Sequence, residues 1–267
     1  MELEGKIAVV TGGASGVGKG IVLTLAQRGA QIVVADVNEQ AAKQTAAEVE
    51  RLGRECIAVR ADVGEMREVD GIITNALTVF GRVDFLVNNA GVIGGSDFGN
   101  RGEANGNDWD LTFAINTRGI VHTIESAQDH MKERRQGRII NIVSMAARRG
   151  TGGVLAHYAA SKAAALNVSQ AYALRLAPFN INVNAICPGP IWTPLAEAWF
   201  QARKVGLDAS DARTPKELFD EHIRETTALG RAATPEDVGR VTAFLCSDRA
   251  RNITGQAINV NAGAYFN

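Results

Sequence analysis

The opening stretch, residues 6–37, restricts the fold more than any other part of the chain. KIAVVTGG is a short apolar run feeding a glycine-rich turn, GKGIVLTLAQRGA has a helical pattern, and QIVVADV is a second apolar run. Strand, tight turn, helix and strand in that order make a βαβ unit, whose crossover helix brings the two strands together in parallel. The turn reads Thr11-Gly12-Gly13-Ala14-Ser15-Gly16-Val17-Gly18. Glycine lets the backbone approach a phosphate closely, and the amides and dipole of the following helix favour an anion. The spacing is G-x-x-x-G-x-G rather than the G-x-G-x-x-G of the general dinucleotide fingerprint. Asp36 ends the second run. An acid there suits the two ribose hydroxyls of NAD and repels the extra phosphate of NADP. An aspartate opening a solvated turn is the alternative.

The alternation continues through the chain. AAKQTAAEVERLG reads as a helix closed by Gly53 in a left-handed cap, and RECIAVRADV as a third strand ending at Asp62 and Val63. EMREVDGIITNALTVF is a helix stopped by Gly81, and VDFLVNNAG a fourth strand ending at Asn88 and Asn89. Residues 94–108, GGSDFGNRGEANGND, lack an apolar period and predict a mobile surface loop bordering a substrate mouth. WDLTFAINTRGIVHTIESAQDHMKER is one long helix, in which Asn116 is a polar residue among apolar neighbours that either bends the helix around a water or faces solvent. The strand RIINIVS follows, then an Ala-rich helix, then INVNAICPG as a sixth strand broken by Pro188, Gly189 and Pro190. IWTPLAEAWF offers Trp192, Leu195, Trp199 and Phe200 as the wall of an apolar pocket or as the face of a core helix. Thr234 and Pro235 begin a late helix as N-cap and first residue, and GQAINV is a final short strand. No repeat or linker divides the chain, so residues 1–267 read as one α/β domain.

The stretch Ser144 to Lys162 carries candidate chemistry. Tyr158 and Lys162 lie four apart in a helix-forming run, so phenol and ammonium share one face. An unperturbed phenol titrates near ~10; a nearby cation is expected to lower that value toward a useful acid/base. Ser144 ends the strand RIINIVS, at the carboxyl edge where open α/β sheets place their ligands. Taken alone, the pair also fits a packed tyrosine and a snorkelling lysine. Composition excludes other roles. The formal net charge is −1 with no basic block, which gives nucleic acid or a membrane surface little to bind. No apolar run approaches the ~20 residues of a membrane span, and Met1 to Lys6 runs straight into a strand, without room for a signal peptide. Cys56, Cys187 and Cys246 are few, distant and flanked by apolar residues, which predicts buried free thiols and a reducing, cytoplasmic setting.

Together, TGGASGVG, NNAG after the fourth strand, Asn116, Ser144, Y-A-A-S-K and P-G-P-I-W-T resemble the short-chain dehydrogenase/reductase family, over about residues 5–263. The resemblance implies a single-domain Rossmann fold: a doubly wound parallel sheet of about seven strands with helices on both faces, and substrate-facing helices around residues 192–228. It also implies a nicotinamide cofactor and a homotetramer. Carried onto these positions, Tyr158 is the acid/base, Lys162 tunes it and bonds the nicotinamide ribose, Ser144 holds the substrate oxygen, and Asn116 positions a relaying water. Gly12, Ser15, Gly16, Val17 and Gly18 wrap the cofactor pyrophosphate and adenine ribose. Asp36 binds the adenosine ribose, Asp62 and Val63 the adenine, and Asn89 the middle of the cofactor. Pro188, Ile191 and Thr193 contact the nicotinamide side.

These expectations define an NAD-dependent oxidoreductase interconverting a secondary alcohol and a ketone, with no metal and with NAD rather than NADP. Ser144, Met145, Leu155 and Trp192 are the substrate-contact candidates. Arg148 and Arg149 either attract an anionic group or are solvated. The segment from Gly150 to Gly153 and the NVNAG near the end depart from the family pattern, the latter where a tetramer interface is expected. A 3-oxoacyl thioester reductase using NADPH shares the motifs, with Asp36 against it. A nucleotide-sensing scaffold that has lost its chemistry is the reading outside enzymes, with the retained Tyr158 and Lys162 against it.

Overall fold

The computed structural model describes residues 1–150, 155–208 and 210–266. Thr151, Gly152 and Gly153 of the glycine-rich departure lie outside the described residues. Seven parallel strands form one sheet in the order β3-β2-β1-β4-β5-β6-β7. They are β1 (Ile7–Thr11), β2 (Gln31–Asp36), β3 (Cys56–Arg60), β4 (Phe85–Asn88), β5 (Gly137–Ile142), β6 (Ile181–Pro188) and β7 (Ala257–Val260). The order reverses between β1 and β4, and that switch point opens a crevice at the carboxyl ends of the strands. The apolar runs are nearly continuous because both faces are covered. Ala8, Val10, Ile32 and Val34 pack toward one side with α1 (Gly16–Gln27), α2 (Glu39–Arg51) and α9 (Pro235–Cys246). Val9, Val33, Leu86 and Ile139 pack toward the other with α3 (Met66–Phe80), α5 (Gly119–Arg134) and α6 (Ala156–Leu176). Gly81 caps α3 at φ +73°, and Thr234 caps α9 through its side chain with Pro235 at the first position, as their residue types dictate.

Two expectations from sequence change. The stretch 94–108 is ordered by one carboxylate. The helix begins at Gly106, and α4 (Gly106–Thr112) is capped by Asn105 and Asp108. Buried Asp108 accepts from the N–H groups of Gly95 and Asn105 (2.8 Å each) and from Arg101 (2.9 and 3.0 Å). Burial opposes its charge, but Arg101 and those backbone donors outweigh it and hold the carboxyl at about 2. Phe98 fills the inside of the strap at 1% exposure. Nor is the long helix uniform: between α4 and α5 residues Phe113–Arg118 widen into a π turn, a distortion typical of functional positions. Asn116 sits there, fully buried and facing neither solvent nor the cleft.

Helices α1 and α9 approach closely because glycines face the contact. A Cβ on Gly20 would lie 2.4 Å from the Pro235 Cβ and 2.7 Å from its carbonyl carbon, and one on Gly239 would lie 2.4 Å from Thr24 Oγ1. Gly20→Ala gains helix propensity worth up to ~1 kcal/mol but forces the two helices apart, at an overpacking cost of about 1–3 kcal/mol. We expect a net loss of stability, read as a lower thermal midpoint; an unchanged or raised midpoint contradicts this packing.

Candidate active site

The crevice is a cavity of about 850 Å³ at the carboxyl edge of the sheet. Its floor is a stitch between β1 and β4. The Thr11 hydroxyl accepts from the N–H groups of Asn89 (3.1 Å) and Ala90 (3.2 Å), and the Asn89 amide donates to the carbonyls of Thr11 (3.1 Å) and Gly12 (2.9 Å). Gly12 sits at φ +62°, a left-handed conformation open to glycine. A Cβ on Gly18 would fall 1.9 Å from the Gly12 carbonyl oxygen, so the helix can start this close to the strand only with glycine there. Ser15 is the N-cap of α1 and makes no side-chain capping bond, and the first turn carries no acid. The hydroxyl and the first-turn N–H groups of Val17 and Gly18 therefore remain for an anion. Gly12, Ser15, Gly16, Val17 and Gly18 all line the cavity. Asp36 closes this end, its carboxylate accepting from Ala14 N–H and Asn38 N–H (3.0 Å each). Asp62, Val63 and Asn89 line the same wall, and Pro188, Ile191 and Thr193 line the side that leads to α7 (Pro194–Val205).

Ser144, Tyr158 and Lys162 converge in the cavity, from the end of β5 and one face of α6. The Ser144 hydroxyl acts on the Tyr158 phenol in favour of its ionised form and accepts from Ala146 N–H at 3.1 Å. Lys162, 3% exposed, donates to the Ile142 carbonyl at 3.0 Å, and its Nζ lies 5.8 Å from the Tyr158 ring centroid. The expected lowering of the phenol does not hold in the chain itself. Burial pushes Tyr158 up to about 12, with the Ser144 hydrogen bond acting the other way, and burial brings Lys162 down to about 8. Desolvation disfavours both charged forms and is the largest cause at each site. Asn116 lies behind the cavity wall. Its carbonyl accepts from Val92 N–H (2.8 Å), and its amide donates to the Val92 carbonyl (2.9 Å) and to Ser161 Oγ (3.0 Å). A Cβ on Gly91 would stand 3.3 Å from both Asn116 Oδ1 and Lys162 Nζ, so the two groups border one spot.

The substrate candidates divide. Met145 and Leu155 line the cavity, as do Leu195, Trp199 and Phe200. Trp192 does not: it packs edge-on against Phe219 (5.1 Å between centroids) with the Lys216 ammonium 5.5 Å over its ring. The chain turns at Pro190 so that Ile191 and Thr193 face the cleft and the intervening side chain points into the cluster beneath α8 (Pro215–Thr226). Arg148 donates to the Ala257 carbonyl at 2.7 Å and ties the loop to β7, whereas Arg149 lines the cavity. Sequence patterning did not reveal Ser161 or His222. The first is an ordinary serine inside Y-A-A-S-K, and the second lies on an amphipathic helix far along the chain, so neither carries a local signal.

A glycine-rich turn at a helix start, an acid at the end of β2 and a Ser-Tyr-Lys group thus meet at the switch point of a Rossmann sheet, where such folds place their ligands. The model of the family described as enoyl-(acyl carrier protein) reductase matches residues 12–265. The BbsD subunit of a hydroxy(phenyl)methylsuccinyl-CoA dehydrogenase from Thauera aromatica is 31% identical, with 98% of each chain covered. 3-Oxoacyl-(acyl-carrier-protein) reductase FabG of Thermotoga maritima is 33% identical over 98% of this chain and 99% of its own. A 7α-hydroxysteroid dehydrogenase solved with NADH and 7-oxo glycochenodeoxycholic acid superposes with a TM-score of 0.84 at 31% identity, covering 98% of this chain and 95% of that one. The chain belongs to the short-chain dehydrogenase/reductase family and is an oxidoreductase of that family.

The buried lysine has a measurable consequence. Its folded value of about 8 lies below the ordinary 10.5, so between those pH values the unfolded chain holds a proton that the folded chain releases. Stability attributable to Lys162 therefore rises as pH increases through that window. Urea unfolding should show wild type gaining on Lys162→Met from pH 8 to pH 10; a constant difference contradicts the burial account.

Proposed function

We propose that the protein is an NAD-dependent dehydrogenase that interconverts a secondary alcohol and a ketone, with Tyr158 as the acid/base. The observation that carries this reading is the meeting of Ser144, Tyr158 and Lys162 in one cavity with the glycine cradle. The residues present fit a nicotinamide dinucleotide: first-turn N–H groups and Ser15 toward a pyrophosphate, Asp36 toward a ribose diol, and Pro188, Ile191 and Thr193 toward the nicotinamide. Bound there, that cofactor supplies the two-electron carrier, and its oxidised ring adds positive charge to the site.

The chain's own groups handle the proton and the substrate oxygen. Tyr158, kept as a phenol by burial, is charged to give a proton to an oxygen that gains electrons and to recover it in the opposite direction. Ser144, which lines the same cavity as the phenol, orients that oxygen through its hydroxyl. Lys162 carries positive charge below about pH 8 and, with Asn116 beside Gly91, offers a route for the proton to leave. Asp36 favours NAD, because a carboxylate repels a 2′-phosphate. The likeness to a 3-oxoacyl reductase keeps a thioester substrate with NADPH as the second reading.

Tyr158→Phe keeps the ring and removes the transferable proton. Turnover over a panel of secondary alcohols should fall by about 10²–10⁴-fold, while dinucleotide binding persists. Full turnover by the variant overturns the mechanism.

A further inference from the structure

His222 lines the cavity from α8, away from the Ser144-Tyr158-Lys162 group in sequence and in element. Its imidazole is held by two aromatic rings. Trp199 meets it at 5.6 Å and 88°, and Phe200 at 5.7 Å and 60°. Among the described residues its buried Nε2 has no hydrogen-bond partner. A buried polar atom without a partner costs free energy, so a small rotation of the ring toward an acceptor entering the cavity is favoured.

The charge around this imidazole is one-sided. Burial lowers the pKa of the ring, and Arg203 and Arg149 lower it further, opposed by the exposed Glu225 one turn along α8. Arg203 lies over the outer face of Phe200, 6.0 Å from its centroid, while Arg149 lines the cavity itself. This local excess of guanidinium stands against a whole-chain charge of −1. Leu155, Leu195, Trp199 and Phe219 add apolar surface to the wall of the same cavity. An apolar cleft with a neutral imidazole and a guanidinium at one end suits a ligand with a hydrocarbon body and an anionic tip. A planar guanidinium and an imidazole N–H match the geometry of a carboxylate.

We propose that the cleft selects alcohols and ketones carrying a carboxylate remote from the reacting carbon, the carboxylate accepting hydrogen bonds from His222 Nε2 and the Arg149 guanidinium. This specificity rests on the dehydrogenase reading for its catalytic half, and the carboxylate site itself does not depend on it. Reductive kinetics with levulinate and its longer (ω−1)-oxo homologues, each against its methyl ester, test the first. Calorimetric titration with heptanoate and methyl heptanoate, on the intact chain, tests the second.

The account expects kcat/KM for the matched acid to exceed that for its ester by about 10-fold or more, the size of a charge-assisted hydrogen bond. His222→Phe keeps the ring between Trp199 and Phe200, and Arg149→Gln alters an exposed residue, so both variants should fold. Each should reduce the acid-to-ester ratio and weaken heptanoate binding. Esters used as well as acids, or an acid preference that survives both substitutions, overturns the proposal, as does heptanoate that fails to bind. Absence of turnover with every acid and ester, while heptanoate binds and the binding falls in Arg149→Gln, retires the dehydrogenase reading and supports the carboxylate site.

Discussion

The hydrogen-bonded stitch between the ends of β1 and β4 is the constraint on which the site depends. Thr11 and Asn89 each take part in three of the four hydrogen bonds across the switch point of the sheet. One of them, from the Asn89 amide, holds the Gly12 carbonyl, and that carbonyl in turn admits α1 only because position 18 has no side chain. From this junction the helix start, with its free first-turn donors, is aimed along the crevice. Asp36 reinforces the same turn from β2 by accepting the Ala14 N–H. The residues that shape the anion cradle are therefore also residues that hold two strands and a helix in register.

A second constraint is burial without solvent behind the chemistry. Asn116, in the π turn, satisfies both polar groups of Val92 and the Ser161 hydroxyl, so the segment beneath Tyr158 and Lys162 is fixed by three hydrogen bonds. A further buried chain runs from Thr123 through Asn88 and Asn141 to Ser169, with spacings of 2.6, 2.8 and 2.8 Å, and joins α5 and α6 across β4 and β5. Satisfied networks of this kind rigidify their surroundings. Burial in this part of the molecule raises the phenol and lowers the ammonium. On the proposed reading, positive charge brought into the cleft acts against the rise at Tyr158.

Much of this was legible in the residues. Apolar runs and helical periods placed all seven strands, and Gly81, Thr234 and Pro235 marked helix ends by local backbone chemistry. The glycine-rich turn, Ser144, Tyr158 and Lys162, each singled out from a local motif, line one cavity. What failed depended on side-chain contacts that leave no period in the sequence. The strap at 94–108 has the composition of a loose loop, yet a single buried carboxylate on Asp108 collects its backbone donors. Trp192 has the character of a pocket residue, yet the turn at Pro190 sends it away from the cleft. The direction of the Tyr158 shift was missed because a sequence states which charge is near but not how much water is excluded.

The central claim is that the crevice is built around a nicotinamide dinucleotide whose ribose meets Asp36. It is tested most directly by titrating the protein with NADH and with NADPH in parallel, following energy transfer from tryptophan to the dihydronicotinamide. Saturable binding of NADH, with NADPH weaker, and a narrowing of that gap in Asp36→Ala are expected. Tighter binding of NADPH, or saturation by neither, would contradict it.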